Sequence, residues 1–160
     1  MLSVHIICVG KMKEKFYIGA AEEYTKRLSA YCKLTVTELT EEGLPQNPSQ
    51  AQIDAALVKE GQAIRAKLPD RGELVALCVE GKPHSSEQLA RLVQNCELNS
   101  AKHLVFLIGG SFGLDPALKQ ECRVRLSMSP MTFPHHLARV MLLEQIYRAF
   151  KINEGSAYHK

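Results

Sequence analysis

Leu104 to Ile108 is a run of five apolar residues that stops on Gly109 and Gly110, with a third glycine at Gly113. A run this short, with β-branched and aromatic side chains among its members, predicts a strand buried on both faces, as in a parallel sheet. Glycine where such a strand ends admits positive φ or lets another molecule reach bare backbone. The carboxyl ends of strands are also where open α/β sheets bind ligands. The first expectation is therefore an α/β fold with a site near Gly109.

The rest of the chain repeats one unit. Ser3 to Val9 predicts a first strand, and Glu14 to Tyr31, with Phe16, Ala20, Tyr24 and Leu28 at fourfold spacing, an amphipathic helix. Leu34 to Leu39 alternates and predicts a second strand with one exposed face. Gly43 to Ser49, which holds two prolines, reads as the loosest loop. Ser49 caps a helix with the inward stripe Ile53, Leu57, Gly61, Ile64 and Leu68. Glu73 to Val79 predicts a third strand ending at Glu80-Gly81-Lys82, after which Ser85 and Gln88 make a capping box for a helix through Leu89, Leu92 and Val93. Asp115-Pro116 reads as cap and first position of a short helix to about Cys122, and Val124 to Met128 as the fifth strand. Thr132 is expected to cap a final helix that begins at Phe133 or Pro134 and runs to about Ile152, leaving Asn153 to Lys160 as a tail. Five β-α units predict a single domain over residues 1–160, a mainly parallel sheet with helices on both faces.

Composition excludes several classes. With 46% hydrophobic residues, 160 residues build one substantial core. The net charge of +3 is too mild to establish a nucleic-acid partner by itself. Five cysteines, odd in number and widely spaced, argue against a disulfide framework and against a CxxC zinc site, which points to a reducing cytoplasm. Met1 to Val9 reads as a strand rather than a signal peptide, and no segment has the length of a membrane span.

In a parallel sheet the residues after each strand meet on one edge, here Gly10-Lys11, Leu77 to Lys82, Gly109 to Gly113 and Met128 to His135. Neither a dinucleotide fingerprint nor a Walker lysine is present, so a phosphate loop is not expected. Leu77, Met128 and Met131 with the glycine-loop backbone instead suit an adenosyl group and a thioether-like chain, although core filling explains methionines equally well. His135 stands at the positive end of the final helix, which favours a neutral ring, and Arg139 lies one turn on. That pair suits an imide base and a phosphate. The plainer readings are a backbone-bridging His135, a solvent-facing His136 and an Arg139 held in a structural ion pair. Glu144 and Arg148 have the spacing of an i, i+4 pair. Apolar residues on the final helix, among them Leu137, Val140, Met141, Leu143, Ile146, Tyr147 and Phe150, exceed what one sheet face needs and predict a subunit interface, with Leu143 facing outward.

Four blocks now stand in order: Ile108 to Leu114, Met131 to His135, Glu144 to Phe150 and Ala157 to Lys160. Together with Gly10-Lys11 and Glu80-Gly81-Lys82 they closely resemble, over the whole length, the RlmH (YbeA-like) family of SPOUT methyltransferases. The resemblance implies an α/β fold with a C-terminal trefoil knot, a homodimer without metal or membrane, and methyl transfer from S-adenosylmethionine to N3 of a pseudouridine in 23S rRNA of the assembled ribosome. Carried over residue by residue, cofactor contacts fall on Leu77, Gly109, Met128, Ser129, Pro130, Met131, Thr132 and Phe133. Substrate-binding or catalytic positions fall on His135, Arg139, Tyr158 and His159. His135 or His159 would take the imide proton, and Arg139 or Lys160 would steady negative charge. A reading from another class keeps the fold as a non-catalytic RNA- or ribosome-binding module.

Overall fold

The computed structural model describes residues 1–99 and 102–160. Five parallel strands form one sheet: β1 (Ser3–Val9), β2 (Lys33–Leu39), β3 (Glu73–Pro83), β4 (His103–Ile108) and β5 (Val124–Ser127) stand in the order β2-β1-β4-β3-β5. The apolar run that opened the sequence argument is the central strand, and every side chain from Leu104 to Ile108 is buried. Its even-numbered residues pack with α1 (Lys15–Leu28), α3 (Ser86–Leu98) and α5 (His135–Asn153), while Val105 and Leu107 pack with α2 (Gln50–Arg65) and α4 (Pro116–Glu121). Helices thus cover both faces, as the repeat of units predicts. Truncating Phe106, which is wholly buried, to alanine removes about 3–5 kcal/mol of stability.

Local signals place the element boundaries. Ser49 and Ser85 each close a full capping box, with Gln52 and Gln88, and Asp115 accepts from the Ala117 amide ahead of Pro116. Among the described residues no helix is long and apolar enough to cross a membrane.

Five details depart from expectation. First, α1 stops at Leu28, where the chain turns, and Phe16 is 69% exposed rather than part of an inward stripe. Second, β3 runs on to Pro83 and leaves its register with β5 between Leu77 and Lys82; both residues pair with Leu126, so Cys78 to Gly81 bulge outward. Third, α5 begins at His135 with Pro134 as its N-cap and no side-chain cap, so Thr132 caps nothing; Pro134 keeps the residue before it out of the helical region. Fourth, Leu143 is buried in the chain's own core, because α5 carries two apolar stripes. Leu142, Leu143, Ile146, Ala149 and Phe150 form the buried stripe, and Leu137, Val140, Met141 and Tyr147 form one that is only partly covered. Fifth, His136 does not face solvent: its side chain is 15% exposed and reaches Glu14 at 3.3 Å.

Candidate active site

A cavity of about 610 Å³ opens at the carboxyl ends of β3, β4 and β5, which are neighbours in the sheet. Three stretches, Lys119 of α4 and the start of α5 line it: Leu77 to Glu80 on the β3 bulge, Ile108 to Leu114 at the end of β4 and after it, and Leu126 to Pro134 without Ser127 and Pro130 at the end of β5 and after it. Of the expected cofactor residues, Leu77, Gly109, Met128, Ser129, Met131, Thr132 and Phe133 all line the cavity, whereas Pro130 faces away and is exposed. His135 and Ala138 close one side. The loop after β1 does not line the cavity; Gly10 touches it only through His135.

The glycine loop is built differently from what its sequence suggests. Gly109 and Gly110 keep ordinary φ angles, and the left-handed residue is Gly113, at φ +82°. The Gly113 amide donates to the Gly110 carbonyl at 3.1 Å, closing a tight hairpin. A Cβ on Gly109 would stand 2.3 Å from the Gly113 carbonyl. The missing side chain is therefore required by the loop's own closure, and not only by the approach of a ligand. The Ser111 amide donates to Glu41 at 2.8 Å, which ties this loop to the segment following β2. After β5 the Ser129 hydroxyl accepts from the Met131 amide at 3.0 Å and folds that lip of the cavity.

His135 is half-buried, and burial first, then its neighbour His136, holds its pKa below the ordinary histidine value. The helix dipole predicts a neutral imidazole, and burial acts in the same direction. The ring lies against Gly10, whose φ is +102° and where a Cβ would stand 3.2 Å from Nε2. Arg139 sits beneath, 4% exposed, donating to Glu38 at 2.6 Å and to the Gly10 carbonyl at 3.0 Å. Glu38 also accepts from the Met12 amide at 2.8 Å. Burial works to raise the Glu38 carboxyl, but the Arg139 hydrogen bond and the Met12 amide outweigh it and hold it low. Arg139 thus fixes the loop after β1 beneath His135.

Tyr158 and His159 are not at this cavity in their own chain. Tyr158 donates to Glu144 at 3.1 Å under the Arg148 guanidinium, and His159 meets Glu87 at 2.8 Å. Arg148 lies thirteen residues beyond His135, about 20 Å along the helix. The Glu144–Arg148 pair forms as expected, at 2.5 Å, and serves as the seat of the tail.

The electrostatic supports Glu38, Glu41 and Lys119 escaped the sequence reading, whereas Glu80 fell within the rim segment Leu77 to Lys82 without an assigned role. Glu80, which lines the cavity, pairs with Lys119 at 2.5 Å, and that hydrogen bond holds its carboxyl below the usual range. The one usable signal was Arg139, since a cation on a buried stripe requires an anion. All five cysteines are free; Cys8, Cys32, Cys96 and Cys122 are buried and pushed up to about 11, and Cys78 lines the cavity. Among the described residues no group of three or more metal-binding side chains comes together.

A parallel α/β sheet with a concave, largely apolar cavity at its carboxyl edge and a glycine loop beside it has the form of a small-molecule site. The profile of the family described as predicted SPOUT methyltransferases matches residues 2–159. The chain belongs to the SPOUT methyltransferase family. It is 46% identical over 159 residues to a protein of Bifidobacterium adolescentis and 43% to one of Leuconostoc mesenteroides, each named ribosomal RNA large subunit methyltransferase H, with 99% of this chain and all of each relative covered. A solved structure of a probable methylase family protein from Haemophilus influenzae shares the fold at TM-score 0.55 and 14% identity, over 98% of this chain and 70% of that one.

Proposed function

We propose that this chain is an S-adenosylmethionine-dependent methyltransferase acting on N3 of a pseudouridine in 23S rRNA, on assembled ribosomes in the cytoplasm. The observation that carries the reading is the cavity itself: its buried part is apolar, with Ile108 and Leu126, and its rim bears the Glu80 carboxylate and the Lys119 ammonium. That mixture fits a purine nucleoside joined to a zwitterionic amino-acid chain. The names of the relatives supply the substrate class.

When bound, S-adenosylmethionine supplies a methyl group that is already electrophilic. The residues have two tasks, to align the acceptor and to take its imide proton. Leu77, Gly109, Met128, Ser129, Met131, Thr132 and Phe133 would hold the nucleoside and the methionyl chain. His135, neutral and on the cavity wall, accepts the proton. Arg139 keeps the ring in place through Gly10. The tail is assigned to the cavity of a second copy, because in its own chain it lies a helix length away. The partly covered α5 stripe, with Tyr158 packed on Tyr147, is the face that joins the homodimer. A trefoil knot in the C-terminal part belongs to the same reading.

Calorimetry with S-adenosylmethionine, followed by tritiated methyl transfer to ribosomes that lack the modification, tests this. Binding in the micromolar range and incorporation at one 23S rRNA nucleotide are expected. Absence of both heat and transfer would instead favour a non-catalytic ribosome-binding module.

A further inference from the structure

We propose that a second cleft, next to the first, holds the phosphodiester backbone of the RNA strand flanking the methylated nucleotide. The inference rests on the RNA-methyltransferase reading and locates its substrate contact. The cleft has a volume of about 660 Å³ and lies between the far side of the β3 bulge, α4 and β5. Its charged lining is Lys82, Lys119, Arg123 and Arg125 against Glu80, with His84 beside them. The whole chain holds 20 basic and 17 acidic residues, so everything outside this lining balances at sixteen of each. The side chains lining this concavity carry a net positive charge as large as that of the whole chain.

The local structure keeps that charge available. Arg125 on β5 and Arg123 just before it both line the cleft, while Leu126 belongs to the core and Val124 packs against it. Gly81 lets the bulge lie directly on β5, since a Cβ there would stand 2.7 Å from the Arg125 carbonyl. Lys82 pairs with Leu126 and so stands beside Arg125. Lys119 is neutralised by Glu80, and Arg123, 83% exposed, touches Glu73 at 3.3 Å. Among the described residues, Lys82 and Arg125 form no ion pair. Two cations free of ion pairs, Lys82 and Arg125, beside two that are paired give this cleft the positive footprint that a phosphate backbone requires.

Glu80 and Lys119 line both clefts, so the bulge of β3 is a shared wall. An RNA strand that turns its target base into the first cavity passes its neighbouring phosphates over this wall, and a base turned out of its stack needs its flanking backbone held. Lys82 and Arg125 serve that backbone and leave the methyl-donor site alone.

The test is the Lys82→Gln/Arg125→Gln double variant, both positions being exposed. Fluorescence anisotropy with labelled oligouridylate at several salt concentrations reads backbone binding directly. The unsubstituted chain binds with a steep salt dependence; in the variant, affinity at 150 mM salt falls about tenfold and the log–log salt slope drops by about one per cation removed. KM for ribosomes rises by a similar factor while S-adenosylmethionine affinity holds, which also reports that the variant is folded. Equal oligouridylate affinity and salt slope in the two proteins overturn the proposal. A rise in KM for ribosomes without any change in oligouridylate binding also overturns it and assigns the cleft to a ribosomal protein. Failure of the methyltransferase reading shows elsewhere, as a lack of S-adenosylmethionine binding by the unsubstituted chain.

Discussion

His135 and the group beneath it set the pH behaviour of the site. Burial holds the folded-state pKa of His135 below the ordinary histidine value, so the neutral ring predominates at neutral pH. If His135 accepts the imide proton, the acid limb of kcat/KM has its midpoint below 6.5, and His135→Asn removes that limb along with most of the activity; a midpoint above 6.5 in a pH–rate profile would exclude this group. Glu38 has a folded-state pKa below its ordinary 4.5, so its stabilising contribution is complete above that value and is lost as the pH falls through the folded one. Glu38→Gln leaves the buried Arg139 without its anion and is expected to cost about 1.5–3 kcal/mol in urea unfolding at pH 7, a difference that shrinks as the pH falls through the folded-state pKa of Glu38. His135 was legible in the sequence because a helix start after a proline is a local signal. Glu38 was not, because a glutamate in an alternating strand reads as solvent-facing until the strand's partners are known.

At the scale of elements, the glycine loop and α5 each turn on a contact distant in the chain. Gly109→Ala places a methyl group against the Gly113 carbonyl and should open the loop, lowering S-adenosylmethionine affinity at least tenfold and stability by about 1–3 kcal/mol. Calorimetry and thermal melting measure both, and unchanged affinity would remove the loop from the site. The α5 pattern was legible as too apolar for one sheet face, yet periodicity alone did not say which stripe was inward, and it sent Leu143 to the wrong side. Met141 is on the half-covered stripe. Met141→Glu is expected to dissociate the dimer without unfolding the chain, as seen by sedimentation velocity paired with circular dichroism. Sedimentation of the unsubstituted chain as a monomer at micromolar concentration would refute the interface.

On the scale of the whole molecule, the tail separates one copy from two. Deleting Tyr158 to Lys160 removes the contacts to Glu144 and Glu87, but no buried core residue. The expected outcome is an intact fold, dimer and S-adenosylmethionine affinity, with methylation of ribosomes reduced by orders of magnitude. Normal turnover by the shortened chain would show the tail to be an ordinary terminus. Elements and both-face layering were legible because strand and helix periods are local. The order β2-β1-β4-β3-β5 was not, since nothing in a strand's own residues names its neighbour.

That order has a kinetic consequence. β4 stands between β1 and β3, so until residues 103–108 arrive the β1–β2 pair and β3 have no common neighbour. The β1–β2 and β3–β4 pairings join segments close in the chain, whereas β1–β4, which pairs Ser3 with His103, closes by far the longest loop, and its entropy falls due before the central contacts can offset it. During synthesis the β1–β2 pair and β3 must wait for the strand that carries the glycine loop; the step that joins them also brings the Leu77 and Gly109 walls of the cavity together.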